Sequence, residues 1–203
     1  MATPNNHISG KWTKEQREKA KQLLMRLVPN AKRIRKEKTM TSYVFQNKTD
    51  LVNHLFAKLE KPSSIKIQKT LYLLFAYYGA TYGQLKATSS ELETINYPAY
   101  LFEPSFEAWQ YGPVDLDVHK AIHEKAYDPS ELEDKAFAKA LEPSEVRNIR
   151  LFIDSIIEQT NDTDDFTLIG RVCEDDAWIS VANSDDKAMD SQAIVNEYTT
   201  KYV

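Results

Sequence analysis

Apolar positions recur at helical spacing along most of the chain, and one stretch is apolar on nearly every side. In Ser64 to Tyr78, Ile67, Leu71, Leu74, Phe75 and Tyr78 fall on one helix face, while Tyr72, Leu73, Ala76 and Tyr77 cover most of the rest. Such a helix belongs inside a protein. Ser63 or Ser64 supplies the N-terminal cap and Gly79 marks the end. Lys66, Gln68 and Lys69 sit in the first turns, where their polar heads are expected to stay in water. Membrane spans need about 20 apolar residues, and this stretch is shorter and partly charged, so it reads as a central core helix.

Amphipathic stripes flank it. Thr13 and Gln16 have capping-box spacing ahead of Ala20, Leu23, Leu24 and Leu27. Thr41 to Phe45 is short and β-prone. Thr49 or Asp50 caps a helix over Leu51 to Leu59, with Leu51, Val52, Leu55, Phe56 and Leu59 on one side and His54 off the stripe, toward solvent. Residues 99–109 alternate aromatic and aliphatic positions around Pro104, which predicts two short strands or extended segments. Tyr111-Gly112-Pro113 reads as a turn, with Pro113 at the first position of a helix carrying Val114, Val118 and Ile122. Further helices follow: one starts at Pro143 and buries Val146, Ile149, Ile153, Ile156 and Ile157, and others cover Phe166 to Val172 and Asp190 to Tyr198. The expected fold is mainly α: a compact helical domain around a central buried helix with one small β element, plus an N-terminal helical extension.

Charge divides the chain in two. Residues 1–61 hold fourteen Lys/Arg against five Asp/Glu, and residues 62–203 hold twelve against twenty-five. That asymmetry sets a basic N-terminal extension, 1–61, against a second unit, 62–203. The densest basic run is Lys32, Arg33, Arg35, Lys36 and Lys38, a contact for phosphates or for an acidic protein surface, or a solvated linker. A lone Cys173 forms no internal disulfide, and Met1 to Gly10 lacks the apolar core of a signal peptide, so the expected location is the cytoplasm.

Catalytic and metal patterns are missing from the sequence. It contains no phosphate loop, dinucleotide-binding glycine turn, nucleophile elbow or Cys-x-x-Cys pair. His119 and His123 are four apart, half of a zinc pattern, with no nearby third His or Cys. The acids following Cys173 oppose thiolate formation. We therefore expect no enzyme, no cofactor and no metal.

Two strings carry the reading further. Lys66-Ile67-Gln68-Lys69-Thr70-Leu71-Tyr72 resembles the K-L-Q-K-L-L-Y opening of the Panacea antitoxin domain family, the SocA-like or phage-associated GepA-like proteins. Leu101-Phe102-Glu103-Pro104, then Glu107-Ala108-Trp109-Gln110-Tyr111-Gly112-Pro113-Val114, resembles that family's L-F and E-A-W-x-Y-G-P-V core. The resemblance covers about residues 63–198 and leaves 1–61 and an insertion near 84–98 outside it. It implies an antitoxin that neutralises a cognate protein toxin, encoded by an adjacent gene, through direct protein–protein binding. Lys66, Gln68, Lys69, Leu71, Tyr72, Glu107, Trp109, Tyr111, Gly112, Pro113 and Val114 are then scaffold residues, with Trp109 and Tyr111 packing their rings on the central helix. Candidate toxin contacts are Leu23, Leu24, Leu27, Lys32, Arg33, Arg35, Lys36, Lys38, Leu51, Leu55 and Phe56, which makes 1–61 the candidate partner-specificity unit. A DNA-binding autoregulator of the operon, and an adaptor delivering a partner to a protease, are the alternatives. No membrane partner is expected, and homo-oligomerisation is left open.

Overall fold

The structure, a computed structural model, describes residues 43–85 and 97–203. The described chain is mainly helical with one two-stranded antiparallel sheet. Helix α1 (Lys48–Lys58) is capped by Asn47, whose side chain accepts from Thr49 N, two to three residues earlier than the sequence suggests. Helix α2 (Ser64–Tyr78) is the central helix, capped by the Ser63 side chain as expected. Strands β1 (Phe106–Trp109) and β2 (Gly112–Asp115) form a hairpin in which Trp109 pairs with Gly112 and Phe106 with Asp115. Helices α3 (Leu116–His123), α4 (Pro143–Asn161), α5 (Asp165–Val172), α6 (Asp176–Ile179) and α7 (Ser191–Tyr202) complete the order.

Helix α2 touches β2 and every other described helix of eight residues or more, namely α1, α3, α4, α5 and α7. All-round burial is what its sequence requires: thirteen of its fifteen residues, Lys66 through Tyr78, are buried. Its aromatic side chains seed two clusters. Phe75 meets Tyr100, Phe102 and Phe106, and Tyr78 meets Tyr82 and Phe152. Val44, Phe45, Leu51, Val52, Leu55 and Leu59 belong to the same core, so the packing is continuous across residue 61.

Several local expectations are corrected. Gly79 does not end the helix: its φ of −58° is right-handed and the chain continues into a π-helical turn, Gly79–Gly83. The glycine serves close approach, because a Cβ there would lie 2.3 Å from Val195 Cγ2 on α7. Pro113 is a strand residue, not the first residue of a helix; Asp115 caps α3 by accepting from Val118 N. His54 is buried, with Nδ1 accepting from Leu132 N at 3.2 Å and Nε2 facing Asp154 at 3.9 Å. The 41–45 segment makes only isolated bridges, Tyr43 to Tyr100 and Phe45 to Phe137, in its described part. Among the described residues no helix is long and apolar enough to cross a membrane.

Candidate functional site

The two strings that carry the family resemblance are bonded to each other. The Gln68 side chain pairs with the backbone of Asp115 as a neighbouring strand would: Oε1 accepts from Asp115 N at 2.8 Å and Nε2 donates to Asp115 O at 3.2 Å. Lys69 Nζ donates to Pro113 O at 2.9 Å. Gly112, with φ +88°, lies in a region that L side chains rarely adopt, and a Cβ there would lie 2.6 Å from Val172 Cγ2. This corrects the expectation that Lys66, Gln68 and Lys69 stay wet. All three are buried, and Lys69 is 2% exposed. Burial pushes the Lys69 ammonium down from 10.5 to about 8, because a charged group loses hydration that one carbonyl only partly replaces.

A second cluster joins α1, the hairpin and α3. The fully buried Asp115 accepts from Lys48 Nζ at 2.9 Å, from Ser105 N and Oγ at 3.0 Å each, and from Val118 N at 3.2 Å. Lys48 Nζ also donates to Asp117 at 2.7 Å and lies 3.3 Å from Ser105 Oγ. A serine, a lysine and two carboxylates are the ingredients of nucleophilic catalysis. Here the Lys48 ammonium donates to both carboxylates and offers the Ser105 hydroxyl no lone pair. The contacts made by Asp115 cap a helix and fix a strand end.

The third cluster pins the last helix. Asp175, 1% exposed, accepts from Tyr72 OH at 2.9 Å, from Tyr198 OH at 2.8 Å and from Arg171 Nη1. Arg171 Nη2 donates to Tyr198 OH at 3.2 Å, and its guanidinium lies over the Tyr202 ring. Burial raises the Asp175 carboxyl above its ordinary range, against the opposing pull of Arg171 and Tyr198. Sequence reading missed Arg171 and Asp175. Their only local signal is an i,i+4 spacing of opposite charges, which surface helices share.

The hairpin tip faces outward. Tyr111 is 59% exposed, not packed on α2 as expected, because the two-residue turn Gln110-Tyr111 projects beyond the last pair. Trp109 is half-buried: its Nε1 donates to Glu107 at 2.8 Å, its ring meets His119 at 4.7 Å, and its carbonyl accepts from Trp178 Nε1 at 3.1 Å. Beside Trp178, Ile179 is 53% exposed. Full burial of Trp109 would make its removal cost roughly 3–5 kcal/mol. At half-burial, Trp109→Ala should cost about 2 kcal/mol, measured by urea unfolding. A cost near the full-burial range would place the ring in the core after all.

The remaining candidates divide simply. Leu51 and Leu55 are fully buried in the domain's own core, while Phe56 is half-buried and packs on Tyr127 at 4.5 Å. Leu23, Leu24, Leu27, Lys32, Arg33, Arg35, Lys36 and Lys38 lie outside the described residues. His119 meets the Trp109 ring edge-on, and among the described residues no group of three His, Cys, Asp or Glu is placed to hold a metal ion. Burial pushes the Cys173 thiol up, against the pull of Lys69. No protein-family model, curated protein or solved structure matches the chain.

Proposed function

We propose that the protein is a cytoplasmic antitoxin that binds and silences a toxin encoded by an adjacent gene, without catalysis of its own. The observation that supports this reading is the bonding of Gln68 and Lys69 to the backbone of Pro113 and Asp115. Two strings some forty residues apart, each resembling the Panacea antitoxin domain, close one rigid scaffold. A scaffold of buried motif residues leaves recognition to its exposed tip and to attached segments, and the basic run of residues 32–38 is the attachment with the strongest charge.

The test is neutralisation. Co-expressed with the product of the adjacent gene, the wild-type chain should restore growth and co-purify with that product. Changing Lys32, Arg33, Arg35, Lys36 and Lys38 together to Glu should leave the melting temperature within a few degrees, because Ile34 is the one apolar residue within the run. It should also slow association with the toxin, because charge complementarity acts mostly on encounter rate. Wild-type protein that forms no complex sinks the antitoxin reading. Normal folding with undiminished neutralisation by the five-fold variant removes the basic run from the contact.

A further inference from the structure

We infer that the hairpin tip and the short helix beside it, Trp109, Tyr111, Trp178 and Ile179, form a docking surface for a protein with an apolar socket and a basic rim. The inference rests on the antitoxin reading for the identity of that protein, the toxin. The surface is pre-organised. Gln68 and Lys69 lock β2 from inside, and Trp178 Nε1 holds the Trp109 carbonyl at 3.1 Å. Glu107 fixes the Trp109 indole at 2.8 Å. The surrounding frame is thus already ordered, which keeps the ordering cost of binding low. Aromatic side chains held in this way are the residues that dominate protein interfaces.

Charge around the face selects the occupant. Residues 174–190 contain six Asp/Glu and one lysine. With Asp175 buried, Glu174 half-buried and Asp176 paired to Lys201 at 2.9 Å, Asp185, Asp186 and Asp190 remain exposed there. Asp186 is tied into the face, since it accepts from Ala188 N at 3.0 Å and Ala188 bridges to Glu107 of β1. A second copy of the chain would bring one acidic rim against another, and like charges in apposition are costly. The chain's own basic run, 32–38, matches in sign but carries a single apolar side chain, Ile34, for a face made of an exposed phenol ring, an exposed isoleucine and the edges of two half-buried indoles. A separate basic-rimmed protein satisfies both the charge and the apolar area.

The experiment titrates the purified product of the adjacent gene against wild type, Tyr111→Ser, Ile179→Ser and the pair Asp185→Asn/Asp186→Asn. All variants change exposed side chains, so their melting temperatures should stay within a few degrees of wild type. Each apolar change should weaken binding by about 30-fold or more, and the acid-neutralising pair should slow association and flatten its salt dependence. Photo-crosslinking from a benzoylphenylalanine placed at position 111 reports the occupant directly. Wild-type binding that every variant retains overturns this inference and leaves the antitoxin reading standing. Crosslinks to a second copy, or to the chain's own residues 1–61, overturn it as well. Absence of any wild-type complex overturns both.

Discussion

Asp175→Ala should lower the melting temperature by on the order of 10 °C, corresponding to roughly 3–5 kcal/mol. The carboxylate is the shared acceptor of Tyr72, Tyr198 and Arg171, all of them buried. Its removal leaves a guanidinium in the core without its counter-charge and two hydroxyls without their acceptor. These groups belong to α2, α5 and α7, so the loss falls on the attachment of α7 to the rest. Arg171→Met should cost a similar amount by stranding the carboxylate. The double variant Arg171→Met/Asp175→Leu should recover much of the loss, because a buried ion pair replaced by apolar groups of similar volume is often neutral. Additive losses in the double variant, measured by denaturant unfolding, would show that the two residues do not act as a pair.

Lys69 should contribute stability that grows with pH between about 8 and 10, and Lys69→Met should remove that contribution. The folded Lys69 loses its proton near 8, whereas an unfolded lysine holds it to about 10.4. In that window the unfolded chain binds the extra proton, so raising the pH favours the folded state, by on the order of 3 kcal/mol across the full interval. Below pH 8 both states are protonated and the full cost of burying the charge is present. Burial also raises the Cys173 thiol and the hydroxyls of Tyr72, Tyr77, Tyr78, Tyr82, Tyr97, Tyr100, Tyr127 and Tyr198. These groups stay protonated in the folded state while their unfolded counterparts ionise, so they oppose the lysine at the upper end of the window. Comparing Lys69 with Met in a Cys173→Ala background, at pH 7 to 10, isolates the lysine. Identical pH profiles in the two chains would mean that the ammonium is hydrated in the folded protein.

Placement of the strings at 66–72 and 107–114 shows how far sequence reading reaches. The pattern of residues 64–78 announced a buried helix, and the alternation near Phe106 announced a strand, because side-chain period follows directly from backbone geometry. Residue type said much less about where each polar group goes. Lys69 and Gln68 look like solvated first-turn residues until the hairpin brings the Pro113 carbonyl and the Asp115 peptide against them. Tyr111 looks like core until the two-residue turn carries it past the end of the sheet.

From its sequence alone this protein is determined to be mainly helical, centred on 64–78, and electrically divided between a basic first part and an acidic remainder. Those properties are local or additive, so periodicity and counting reach them. Tertiary structure alone decided that Gly79 clears space for Val195, that His54 is buried, and that Arg171, Asp175, Tyr72 and Tyr198 share one network. It also turned Tyr111 outward and bonded the Trp178 indole to the Trp109 carbonyl. Each of these depends on what a distant segment brings into contact, and the energy of a polar or aromatic group is set by its neighbours rather than by its position in the chain.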